Sequence, residues 1–166
     1  MISDTIFAPS SGSAPSGVAI IRISGPKARS VLESFSGLKC SKPRTVRRAS
    51  IFDPKTGDAL DEGLVIWFPG PASFTGEDVV EFHIHGGRAT IEAVCRSLSD
   101  FDGCRLADPG EFSRRAFDND KLDLTEIEGL ADLIAAETEG QRKQALKQLS
   151  GGLSMIYEAW RENLLR

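Results

Sequence analysis

Hydrophobic and polar positions change rhythm along the chain. Up to residue 98, stretches of period two alternate with short stretches of helical spacing; from Thr125 onward only helical spacing remains. Gly17 to Ser24 (GVAIIRIS) predicts a strand, entered from a loop over 9–16 rich in Ser, Pro and Gly. Gly25-Pro26 then opens a short helix to about Phe35, with Pro26 suited to its first turn. Arg47 to Phe52 and Gly63 to Phe68 read as two further strands, with turn residues Asp53-Pro54-Lys55-Thr56-Gly57 between them. The strictest alternation is Val79 to His85. It places Val80, Phe82 and Ile84 on one face and Glu81, His83 and His85 on the other. Ala89 to Leu98 has helical spacing at Ile91, Val94, Cys95 and Leu98. Pro109 to Phe117 reads as a short helix with Glu111 in its first turn and the pair Arg114-Arg115 along one side, as solvated arginines in preference to a phosphate site.

In the helical part, Thr125-Glu126-Ile127-Glu128 and Thr138-Glu139-Gly140-Gln141 both have capping-box spacing, so helices are expected near 126–136 and from about 139. In the second, Leu146, Leu149, Leu153, Ile156, Trp160 and Leu164 recur at steps of three and four. That is a packing stripe, weakened at Gly151-Gly152. The stripe reaches Arg166 without a stop signal, from which a longer parent protein is expected.

Composition narrows the class. With 166 residues, 40% of them hydrophobic, the chain can bury a core of one domain or one plus a fragment. A net charge of −4 does not by itself predict a polyanion partner. Met1 to Ser13 lacks the pattern of a signal peptide, and no apolar run approaches the ~20 residues that span a bilayer. Cys40, Cys95 and Cys104 form no CxxC pair and suit reduced thiols, Cys95 as a small buried hydrophobe. A cytoplasmic protein without membrane attachment is expected. A phosphate loop of the GxxxxGK[ST] type is absent from the sequence.

The face carrying Glu81, His83 and His85 holds the chain's two histidines and asks for a chemical reason. A zinc ion could use such a row, but HxH arises by chance and no further ligand cluster accompanies it. A polar wall of satisfied imidazoles is the simpler reading, and no metal is expected. Arg22 interrupts an apolar strand and needs a partner or water, as Glu81 does on its own strand. The two pair with each other, or both face a polar ligand, the carboxylate accepting two parallel N–H bonds and the guanidinium meeting an anion or carbonyl. Lys121 sits in the connector Asn119 to Leu124, where a lysine is ordinarily solvated. Lys39, Lys42, Arg44, Arg47 and Arg48 form a basic run without interleaved aromatics, a mild hint of nucleic acid.

Several longer motifs carry a resemblance. Ile20 to Pro26 (IIRISGP), Trp67 to Pro71 (WFPGP), Ser73 to Val79 (SFTGEDV), His85-Gly86-Gly87, Pro109 to Phe112 (PGEF), Arg115 to Phe117 (RAF), Lys121 to Leu124 (KLDL) and Ala131 to Ile134 (ADLI) stand in the order of the MnmE (TrmE) family of tRNA-modification GTPases. The chain resembles that family from about Asp4 past Leu153. The resemblance implies an α+β fold: an N-terminal domain over 1–119, similar to the folate domains of glycine-cleavage aminomethyltransferases and used for dimerisation, then the start of an all-α helical domain over 120–166. The GTPase domain is inserted later in family members and is missing here.

The resemblance also implies a function. Family members bind a tetrahydrofolate derivative (formyl- or methylene-tetrahydrofolate) in the N-terminal domain and act as homodimers. With the flavoprotein MnmG they modify carbon five of the wobble uridine in tRNA, in a GTP-driven cycle needing potassium and magnesium. Carried over by motif, the folate contacts fall on Arg22, Glu81 and Lys121. Glu81 would read the amino-pyrimidinone edge of the pterin, with Arg22 and Lys121 meeting its carbonyl or anionic tail. No catalytic residue is expected in this part, which should not hydrolyse GTP alone. Two departures stand out: Ser10 to Pro15 replaces a Pro-Pro-Gly-Arg-Gly-Gly loop, and Arg88 replaces the proline that follows the glycine pair. Two further readings compete: a metal-dependent hydrolase built on Glu81, His83 and His85, and a standalone folate-dependent aminomethyltransferase.

Overall fold

A computed structural model of the chain describes residues 4–39 and 42–165, with 153–156, 158 and 159 described by backbone alone. Cys40 lies outside the described residues. The chain divides into two compact units, Met1–Arg115 and Ala116–Arg166.

The first unit is a six-stranded mixed sheet with helices against one face. Its elements are β1 (Thr5–Pro9), β2 (Ser16–Ser24), α1 (Ala28–Ser36), β3 (Arg47–Phe52), β4 (Ala59–Phe68), β5 (Val79–Gly86), α2 (Arg88–Ser99) and β6 (Cys104–Leu106). The strand order is β3-β4-β5-β2-β1-β6, antiparallel throughout except for the parallel pair β1–β6. Alternation in the central strands decides which side chains are covered. Ala19, Ile21 and Ile23 of β2 and Val80, Phe82 and Ile84 of β5 are buried with Val31, Leu32 and Phe35 of α1 and Val94 and Leu98 of α2. Phe35 meets Phe82 and Phe101 with ring centroids 5.9 Å apart in both pairs. The same alternation turns Arg22, Glu81 and His83 to the opposite face.

The strands and helices foreseen in this unit are present, with shifts of a few residues. β4 begins at Ala59, four residues before the apolar run, because the acidic segment Asp61-Glu62 continues the ladder with β3. Gly63 is required within it: a Cβ there would stand 2.2 Å from the His83 carbonyl oxygen. Two strands had no sequence signal, β1 and β6. Thr5, Ile6 and Phe7 of β1 are all buried, so no alternation betrays it, and β6 has three residues. Cys95 and Cys104 are free thiols half-buried against the core, and burial pushes both up, Cys104 to about 11.

α3 (Glu111–Asp118) runs from the first unit into the second, which contains α4 (Leu124–Ala135), α5 (Glu139–Leu149) and α6 (Gly152–Leu164). α5 starts with the expected capping box, Thr138 with Gln141. The box of α4 differs: Asp123 is the N-cap and Glu126 its partner, two residues ahead of the Thr125 reading. An ionised carboxylate at Asp123 is the better acceptor and complements the positive end of the helix. α4 and α5 pack closely at Gly129, where a Cβ would lie 2.7 Å from the Leu149 amide nitrogen. The long helix expected from 139 is broken, because Gly151 adopts a left-handed conformation (φ 79°) between α5 and α6. The apolar stripe is therefore not a single seam. Leu146, Trp160 and Leu164 are exposed, while the side chains of Leu153 and Ile156 lie outside the described residues.

Candidate functional site

β2 and β5 are adjacent central strands, and their register sets Arg22 directly opposite Glu81. Two charges that each interrupt an apolar strand thus meet across one ladder rung. Arg22 Nε and Nη2 both donate to Glu81 Oε1 at 3.0 Å. The second carboxylate oxygen, Oε2, lies 3.1 Å from His83 Nε2. The Arg22 guanidinium carbon sits 5.5 Å from the Phe74 ring centroid and 5.9 Å from that of Phe112. Two quadrupoles and a carboxylate thereby hold a cation on the face of the sheet opposite α1 and α2. An ionised carboxylate has about four lone-pair positions. Glu81 therefore keeps acceptor capacity beyond its present partners.

Beside this pair a polar network fixes the loop that carries Phe74. Ser24 Oγ donates to Glu77 Oε2 (2.7 Å) and bonds Thr75 Oγ1 (2.7 Å). Glu77 is paired in turn with Arg115. Arg115 corrects the reading of a solvated basic pair: it is 1% exposed and paired with Asp4, Glu77 and Glu111. Glu111 is also gripped by both terminal nitrogens of Arg105 (2.5 and 2.8 Å). That bonding to Arg105 holds its carboxyl down at about 2, against burial, with help from the Asp108 amide and Arg115. Arg114 alone of the pair is exposed.

The two histidines turn to different carboxylates. His83 faces Glu81, whereas His85 Nδ1 lies 2.8 Å from Asp61 Oδ1 and its backbone N–H donates to Asp61 Oδ2 (2.7 Å). Asp61 is 12% exposed and its carboxyl lies below the ordinary range; burial raises it, but the backbone and ring hydrogen bonds from His85 and the Glu62 amide outweigh that. The Glu81/His83/His85 row is thus not a converging set of ligands. No group of three His, Cys, Asp or Glu side chains among the described residues has the arrangement to hold a metal ion. Both histidines line a cleft of about 480 Å³, with Gly17, Val18, Arg48, Glu62, Gly63, Leu64 and Ile84 as its other walls.

Of the three residues expected to contact a cofactor, Arg22 and Glu81 are brought together. Lys121 belongs to the second unit, exposed in the bend after α3, with its backbone N–H donating to the Ala116 carbonyl (2.7 Å). In the basic run, Arg48 pairs with Glu62 (2.6 Å) and Arg44 donates to the Ala72 carbonyl. Phe74, Phe112 and Asp61 went unnoticed as site residues. The phenylalanines lie inside the SFTGEDV and PGEF motifs, but nothing periodic singles them out. No helix among the described residues is long and apolar enough to cross a membrane.

Comparison with known proteins gives this arrangement a family. Residues 5–121 match the family described as GTP-binding protein TrmE N-terminus, and residues 124–166 match the MnmE helical domain. The chain is similar to proteins named tRNA modification GTPase MnmE from Parvibaculum lavamentivorans (58% identical over 163 residues), Beijerinckia indica (57% over 162) and Brucella anthropi (56% over 167). These alignments cover 98–99% of this chain and 36–37% of each relative, so the chain spans little more than a third of their length. The chain belongs to the MnmE (TrmE) family of tRNA modification GTPases and matches its N-terminal and helical parts.

Proposed function

We propose that the chain is the folate-binding and dimer-forming N-terminal region of a tRNA-modifying GTPase, with residues 1–119 as the binding domain and 120–166 as the first helices of the helical domain. The observation that carries this reading is the Arg22–Glu81 pair, held on the face of the central strands opposite α1 and α2, with Arg22 against two phenylalanine rings. A tetrahydrofolate, in its formyl or methylene form, offers adjacent N–H donors on the amino-pyrimidinone edge that suit the free acceptor positions of Glu81. Its planar pyrimidinone ring suits the aromatic surroundings. Arg22 and Lys121 would meet its carbonyl or anionic tail. When bound, the folate supplies a one-carbon unit; the protein's residues bind and orient it.

The intact protein would use GTP, with potassium and magnesium, in its GTPase domain. It would act as a homodimer with the flavoprotein MnmG, in the cytoplasm, adding an aminomethyl-type group to carbon five of the wobble uridine in tRNA. The family membership and the relatives' printed names support this wider reading.

Calorimetric titration with tetrahydrofolate tests the site. Glu81→Gln keeps the shape but removes the charge, and loss of a charge-assisted hydrogen bond of about 1.5–3 kcal/mol weakens binding roughly 10- to 100-fold. Wild-type chain without affinity, or a Glu81→Gln variant that binds as well as wild type, refutes the assignment.

A further inference from the structure

The Asp61–His85 pair is built more firmly than a surface contact requires. One oxygen of Asp61 accepts the His85 backbone N–H and the other faces Nδ1 of the ring. Satisfying the backbone N–H needs only the first. An ionised carboxylate only accepts, so the second bond requires Nδ1 to carry the proton. In the neutral ring Nε2 is then left as an acceptor. That ring is 71% exposed and lines the 480 Å³ cleft, a volume within the range of small-ligand sites. The cleft adjoins the proposed folate site through His83, which lines it and also bonds Glu81.

We infer that this cleft is the second compartment of the same ligand site, and that His85, oriented by Asp61, accepts a hydrogen bond there from an N–H of the bound reduced folate. The inference rests on the folate reading above. Glu81 to His85 is four residues along one strand, about 13 Å. From a pterin edge held at Glu81, that span reaches the amide joining the p-aminobenzoyl ring to glutamate, and this amide carries one N–H. Val18 and Leu64 give the cleft an apolar floor suited to the ring. Asp61 acts through His85 and is a positioning residue.

The consequence is a pH dependence with a defined sign. The groups facing His85 are Asp61 and Glu62 from β4, Arg48 from β3 and His83 from its own strand; the facing residues of β2, Gly17 and Val18, carry no charge. Only neutral His85 can accept, so tetrahydrofolate binding weakens as pH falls, by roughly tenfold per pH unit at most. Calorimetric titrations between pH 5 and 8, with wild type and His85→Gln, measure it. Glutamine accepts but does not titrate, so the variant binds with a flatter profile, and titration of the ligand itself cancels between the two. Nitrogen NMR of Asp61→Asn should show His85 leaving its single Nδ1-protonated form for a tautomer mixture. Should that variant not fold, the His85→Gln comparison decides alone. A flat wild-type profile, or the same slope in His85→Gln, overturns the inference. So does tighter binding at low pH, which would put a ligand carboxylate at His85. If binding is still lost in Glu81→Gln, the folate reading survives these outcomes; wild-type chain that binds no tetrahydrofolate overturns both.

Discussion

Replacing Arg115 with methionine removes one cation from beneath three carboxylates while keeping an apolar stem of similar length. Its Nη1 donates to the Asp4 carbonyl (3.0 Å) and to both oxygens of Glu77 (3.2 Å each); its Nη2 donates to Asp4 Oδ1 (2.9 Å) and Glu111 Oε1 (3.0 Å). The loss does not fall equally on these partners. Asp4 and Glu111 keep Arg105, at 2.5 Å in both pairs. Glu77, 16% exposed, keeps the Ser24 hydroxyl and loses its cation among the described residues. Breaking a buried pair from one side costs about 3–5 kcal/mol. A domain of ordinary stability has about 5–15 kcal/mol in total, so the variant should lose a large fraction of it. Urea denaturation gives the difference without screening the charges. Adding Glu77→Gln should recover part of it, with a coupling of roughly 1–3 kcal/mol, because the orphaned charge is then gone. An Arg115→Met loss below about 1 kcal/mol would refute the reasoning, as would a double mutant that is simply additive.

Two further outcomes check the local physics. Asp123→Ala should lower the stability of the helical unit by about 1 kcal/mol, and Thr125→Ala by clearly less; equal losses in thermal melts would return the N-cap to Thr125. Glu111 should make the first unit acid-sensitive. Its folded pKa of about 2 lies below the ordinary 4.5, so its contribution is complete above about 4.5 and is lost as pH falls toward 2. Urea midpoints of wild type and Glu111→Gln should converge over that range, and a constant gap would show that its charge does not contribute.

What the sequence revealed and what it hid divide along one physical line: alternation reports which face a side chain occupies, but not what it meets there. The buried face of β5 could be read because Val80, Phe82 and Ile84 repeat every second residue against a core. Arg22 and Glu81 stood out because each interrupts an apolar strand. Their mutual pairing was readable as one of two options although 59 residues separate them. Arg115 was misread for the opposite reason. Its local partner Glu111 lies one helical turn away, but Asp4 and Glu77 come from 111 and 38 residues off, and only the strand order brings them to it. Asp61 left even less trace. It stands beside Glu62 and near Asp58 in an acidic stretch, so it breaks no pattern, and its bonds to His85 span 24 residues. The residues detected from the pattern are thus those that violate it, whereas the ones that orient them, Asp61 and Arg115, lie where polarity was already expected. A site read from sequence will therefore be biased toward its contact residues and poor in the groups that position them.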